Sequence, residues 1–195
     1  MKRHITISKI LMIVLLISIS NVVIAGELFE FAYVFLTSRK VPENHAKLMA
    51  KALEEESKIV PKSVDPLYIL AFGLTETNFM NIFGDQGKAV GYFQIHENAV
   101  FYVANFYEDV RQFKEQHRNH AELINYPDWQ VKIAYRYIYL TLHYVFDWDL
   151  ARAISAYNGR LDKYNTYTVK FFNYYAKIIS EYVAFLDSKS LNTSK

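Results

Sequence analysis

Along residues 43–60 the apolar positions Leu48, Met49, Leu53 and Ile59 return near a helical period, with charged residues filling the intervals. This pattern predicts an amphipathic helix, with Asn44 placed to cap its start. The run "PKSVDP" breaks it. The next segment, "LYILAFGLTETNF", is apolar on nearly all sides and predicts a buried central helix. Asp65 is placed to cap it, and Pro66 takes the first turn, where a missing N–H costs nothing. Between Pro66 and Phe79 there is a single carboxylate, Glu76. Three of the six glycines (Gly84, Gly87 and Gly91) then fall within residues 83–91, which predicts a turn-rich loop or small hairpin. Helical patterns resume as one or two helices over 96–124, another over 126–146 with Asp128 near its start, and a short one over 147–159 stopped by Gly159. A last helical pattern covers 167–186. The stretch 26–41, "GELFEFAYVFLTSRKV", is apolar and aromatic but fixes no form. Residues 187–195 read as a polar, frayed tail. Without repeats or a dividing linker, the expected fold class is mainly α and single-domain.

The first 25 residues follow a different logic. A basic start, "MKRHITISK", precedes a short apolar run, and Val23 and Ala25 stand at the small-residue positions of a cleavage site. This predicts a secretory signal peptide cut after Ala25, and export to the periplasm or cell envelope. An uncleaved membrane anchor is the competing reading. The apolar stretch 10–24 is short for a span, and Ser18, Ser20 and Asn21 interrupt it. The chain then divides into a signal (1–25), an N-terminal extension (26–42), a domain (43–186) and a tail (187–195). Loss of Lys2, Arg3 and Lys9 takes the formal charge from +2 to −1. That balance lacks the basic excess of a nucleic-acid binder. With no cysteine there is neither a disulfide framework nor thiol chemistry, so the core must hold the fold alone. At 52% hydrophobic residues it can. The 16 tyrosines and 14 phenylalanines are mostly packing, although a tyrosine surplus also suits a groove.

Three short motifs carry candidate chemistry: "VDPLYILAFGLTETNF", then "GYFQI", then "SAYNGR". Taken singly they are weak. Glu76 could be a helix-end residue in water, "GYFQI" a short buried strand, and "AYNG" an ordinary helix stop. Taken in this order and spacing, over roughly residues 43–185, they resemble the catalytic domain of soluble-type lytic transglycosylases in the lysozyme-like superfamily. That family runs from a "VDP" helix start to Glu-Ser, Gly-Leu-Met-Gln-Ile and Ala-Tyr-Asn-Gly, then a tyrosine near the last helix. Here Thr77 replaces the serine and keeps the hydroxyl, Phe93 replaces the methionine, and Arg160 stands where a second glycine is common. The closing tyrosine is Tyr167 in preference to Tyr164.

The resemblance implies a lysozyme-like domain with the glycine-rich loop at an active-site cleft. It also implies cleavage of the MurNAc–GlcNAc bond of peptidoglycan by Glu76 alone, without cofactor or metal. An apolar setting raises a carboxyl pKa enough for proton delivery near neutral pH. The sugar's own 6-hydroxyl then closes onto the anomeric carbon, an intramolecular attack of high effective concentration. The ionised glutamate accepts that hydroxyl's proton. The product is a 1,6-anhydromuramoyl end. By the same resemblance Tyr157 and Asn158 flank the acid, with the Tyr157 hydroxyl holding the carboxyl. Gln94 bonds the sugar, Gly91 lets the backbone approach the glycan, Thr77 acts near the leaving group or shapes the turn, and Tyr92 stacks on a ring. Asp85 reads first as a turn residue, and otherwise as the second acid of a hydrolytic muramidase. A non-catalytic glycan-binding subunit on the same fold is the third reading. The expected partner is peptidoglycan, engaged by a monomer; by analogy with small relatives, a secretion, conjugation or pilus machine would recruit it. The spacing of His117 and His120 could place both on one helical face, but Lys114, Arg118 and Glu122 around them favour a solvated charged face over a metal site.

Overall fold

The computed structural model describes residues 26–61 and 63–193. The expected signal peptide, residues 1–25, lies outside the described residues. Among them, the helices are α1 (Glu27–Ser38), α2 (Glu43–Ile59), α3 (Leu67–Glu76), α4 (Glu97–Ala104), α5 (Glu108–Gln116), α6 (Pro127–Tyr144), α7 (Leu150–Tyr157) and α8 (Thr166–Thr193). None of these helices is long and apolar enough to cross a membrane. Three two-residue strands, β1 (Phe83–Gly84), β2 (Ala89–Val90) and β3 (Ile95–His96), make one antiparallel sheet in the order β1-β2-β3. Its register pairs Phe83 with Val90 and Ala89 with His96. The molecule is mainly α, as the hydrophobic pattern predicts.

The stretch expected as an extension is α1. Leu28, Phe31, Ala32, Phe35 and Leu36 recur at helical spacing and are all buried in the common core. The Phe35 ring meets Phe79 edge-on at 5.9 Å, and Phe31 meets Tyr182 at 4.8 Å. Each such side chain contributes about 1.5–3 kcal/mol by its burial, so α1 belongs to the domain rather than preceding it. At the other end, α8 continues to Thr193 where a frayed tail is expected. Lys189, near its end, pairs with Glu30 on α1.

Helix α2 begins at Glu43, with Pro42 in the cap position and no side-chain cap, so Asn44 sits inside the first turn instead of capping it. Asp65 does serve the start of α3: one carboxyl oxygen accepts from the Leu67 N–H at 2.9 Å. The other accepts from the Tyr175 hydroxyl at 2.6 Å, which ties the start of α3 to α8. Every residue of α3 from Ile69 to Thr75 is buried, as expected of a central helix. Beyond it Asn78 and Phe79 take left-handed backbone (φ 52° and 59°) and turn the chain toward the sheet.

One charged group is sealed into this interior. Arg136 on α6 is 3% exposed and makes two 2.7 Å bonds to Glu56 on α2 and one of 2.6 Å to Asp109 on α5. The Tyr107 ring covers its guanidinium at 4.4 Å. The planar fork of arginine suits this two-sided carboxylate clamp.

Candidate active site

The C-terminal turn of α3 opens onto a cleft of about 510 Å³. Glu76 stands within it. On one side β2 and β3 supply Ala89, Ile95 and His96 and the loops between the strands supply Asp85 and Gln94, α4 supplies Asn98, α6 supplies Tyr137, and the end of α7 supplies Tyr157, Asn158 and Gly159. The sheet therefore lines the cleft.

Glu76 is half-buried, and one carboxyl oxygen, Oε1, accepts a hydrogen bond from the Tyr167 hydroxyl on α8. No group among the described residues bonds Oε2. Burial drives the carboxyl from its ordinary 4.5 up to about 7, against smaller opposing effects from the Tyr167 hydrogen bond and the nearby Lys170 ammonium. Such an acid is half-protonated near neutrality and can both give and take a proton there. The Tyr167 phenol is in turn pushed well up, by burial first and then by the glutamate's charge, so it remains a donor.

The two groups meet because α8 runs back along α3. Lys170, one turn beyond Tyr167, donates to the Thr75 carbonyl at 2.6 Å. Tyr167 and Lys170 thus hold adjacent residues of the last turn of α3. The i,i+3 spacing from Tyr167 is the sequence signal that would have found Lys170. Tyr164, the other tyrosine of that stretch, is largely exposed.

Other expected site residues stand elsewhere. Thr77 is buried and donates to the Tyr92 carbonyl at 2.8 Å, so its hydroxyl fastens α3 to the loop between β2 and β3 and does not face a ligand. Tyr92 is 1% exposed, with its hydroxyl 2.9 Å from His45 Nδ1, and offers no face for stacking. Gly91 has φ 80°, and a Cβ there would collide with the Gln130 side chain. What approaches the Gly91 backbone closely is therefore Gln130 on α6. This buried amide accepts from Tyr92 N at 2.8 Å and donates to the Leu123 carbonyl at 2.9 Å. It was missed because it lies in an ordinary helical stretch and only the fold brings it to the loop.

Tyr157 does not hold the carboxyl. Its hydroxyl donates to the Phe93 carbonyl at 2.9 Å, and its ring stacks on Phe72 at 4.3 Å. It therefore shapes the wall beside Glu76 and joins α7 to the "GYFQI" segment. Gln94 lines the cleft, but its amide nitrogen is used by the Gly91 and Ile82 carbonyls, at 2.9 and 3.1 Å. Asn158 is exposed at the rim. Asp85 and Gln86 both adopt left-handed backbone (φ 46° and 56°) in the turn between β1 and β2. Asp85 lines the cleft with an exposed side chain whose Oδ2 lies 4.0 Å from His96 Nε2.

Away from the cleft, His117 pairs with Glu122 at 3.0 Å, and His120 bonds the Ile95 carbonyl at 2.9 Å. No protein-family model, curated protein or solved structure matches the chain.

Proposed function

We propose that this protein is an exported peptidoglycan lytic transglycosylase of lysozyme-like fold, cleaving the MurNAc–GlcNAc bond with Glu76 as its single acid and base. The observation that carries this reading is a carboxyl raised to about 7 by burial, gripped at one oxygen by Tyr167 and lining a cleft of about 510 Å³. Protonated Glu76 delivers its proton to the leaving glycosidic oxygen as the bond to the anomeric carbon breaks. The resulting carboxylate takes the proton of the sugar's 6-hydroxyl, whose oxygen closes onto that carbon. The acid is thereby restored, and no water is consumed. Tyr167 holds Oε1, fixes the carboxyl's orientation and stabilises the anion between the two steps.

A second reading, hydrolysis by a muramidase, draws on Asp85 in the same cleft. Its side chain is exposed, and it sits on a turn rather than a rigid helix. A non-catalytic glycan-binding role leaves the raised Glu76 without a purpose. Replacement of Glu76 by Gln separates catalysis from mere binding: it abolishes release of soluble muropeptides from purified peptidoglycan while the circular dichroism spectrum stays native. Retained release by Glu76→Gln contradicts the single-acid mechanism, and loss of release in Asp85→Asn favours the hydrolase.

A further inference from the structure

The cleft does not end the aromatic surface. Tyr137, in its wall, contacts Tyr157 on one side and Tyr102 on the other, with ring centroids at 5.7 and 5.9 Å. From Tyr102 the contacts continue outward to Phe106 at 5.5 Å and on to Tyr144, stacked on Phe106 at 5.2 Å. His143 then links Tyr144 to Trp148, at 4.5 and 5.6 Å. Phe106, Tyr144 and Trp148 are 48%, 59% and 41% exposed, so large ring surface faces water. Tyr137 and Tyr144 lie seven residues apart on α6, a rise of about 10 Å along the helix.

Trp148 is held out deliberately. Asp147 and Trp148 both adopt left-handed backbone (φ 44° and 64°), a conformation non-glycine residues rarely take. The Trp148 N–H is anchored on the Leu142 carbonyl and the Asp149 N–H on the Phe146 carbonyl, both at 2.8 Å. With its backbone fixed in this way and its ring against His143 and Tyr139, Trp148 has less freedom to lose on binding.

We propose that Phe106, Tyr144 and Trp148 form a platform on which a glycan strand continues beyond the cleft, its sugar rings lying against the aromatic faces. This rests on the glycan-cleaving reading above. Pyranose rings present a C–H face that packs on an aromatic ring and hydroxyls around the edge. The platform matches that with ring faces bordered by the polar edges of Tyr144, His143 and Asp147. The exposed Asp147 sets negative charge beside the tryptophan, while Asp149 is paired with Lys163 and Arg152, and no basic cluster among the described residues there suits an anionic lipid surface. Unbroken ring contact with Tyr137 ties the platform to whatever fills the cleft, which favours the glycan over a separate protein partner.

The test is calorimetric binding of uncrosslinked glycan strands of graded length to Glu76→Gln, alone and combined with Tyr144→Ala and Trp148→Ala. In Glu76→Gln, affinity rises with strand length until the platform is covered. The added substitutions weaken long strands by about tenfold and leave the shortest unchanged. Trp148→Phe restores part of the loss. Unaltered affinity for long strands in the triple variant overturns the platform and is the outcome if it serves a protein or lipid instead. Equal weakening of short and long strands overturns it as well. Failure of Glu76→Gln to bind any strand also overturns it. Turnover of sacculi by the unmodified protein separately decides the catalytic reading.

Discussion

In the proposed reaction Glu76 carries the chemistry because two opposed local effects leave its proton near balance. Burial raises the carboxyl, and Tyr167 and Lys170 hold it back to about 7. The folded value lies above the unfolded one, so the pH dependence of stability has a definite sign. At a pH below 4.5 both states keep the proton. From 4.5 to about 7 the unfolded chain releases it while the folded chain does not, and stability falls. Above that the loss levels off at about 3 kcal/mol. Glu76→Gln removes this penalty, so its melting temperature exceeds that of the unmodified protein by more at about pH 8 than at about pH 5. A difference constant across that range contradicts the raised carboxyl. Tyr167→Phe removes a bond that favours the anion, so the alkaline limb of the pH–rate profile moves upward even as the maximal rate drops. Glu76, Tyr167 and Asp85 are legible in the sequence because a motif order and a single acid in an apolar run point to one place. The roles of Thr77, Tyr92 and Tyr157 are not legible. All three sit at chain reversals or helix ends, where spacing cannot say which way a side chain turns, and each proves to bond backbone inside the fold or the neighbouring His45.

Among the elements, α8 matters most to the site. It places Tyr167 on Glu76 and Lys170 on the Thr75 carbonyl, so two contacts one helical turn apart fix the last turn of α3. Lys170→Met removes a cation that favours the Glu76 anion. The alkaline limb of the pH–rate profile again moves upward, and Lys170→Arg restores it. No movement in Lys170→Met makes this lysine merely a helix tie. The loop between β2 and β3 is set against α6 in a comparable way. Gly91→Ala introduces a methyl against buried Gln130 at a left-handed backbone position, and costs about 2–4 kcal/mol in urea unfolding. A loss under about 0.5 kcal/mol there would mean that Gln130 is free to move. Helical periodicity exposes α2, α6 and α8 in the sequence. It does not expose α1, whose narrow stripe from Leu28 to Leu36 lies among further aromatic residues, nor the continuation of α8 past Asp187, where the residues are polar.

Across the whole molecule, α1 through α8 share one core, and the Glu56–Arg136–Asp109 cluster, buried at Glu56 and Arg136 and half exposed at Asp109, joins α2, α5 and α6. Arg136→Met strands Glu56, which is 1% exposed, without its counter-charge. It lowers unfolding stability by about 3–5 kcal/mol, whereas a surface pair would cost under about 1 kcal/mol. A mainly α, single-core chain is legible because hydrophobic period alone determines it. The cluster is not, since its three members are separated by up to 80 positions and look like ordinary surface charges in the sequence. The central claim is a single acid that cuts a glycan without consuming water. Mass spectrometry of the soluble products from purified peptidoglycan tests it most directly. The account predicts muropeptides lighter by one water than the hydrolytic products and lacking a reducing end. Ordinary reducing muropeptides, or no products at all, would contradict it.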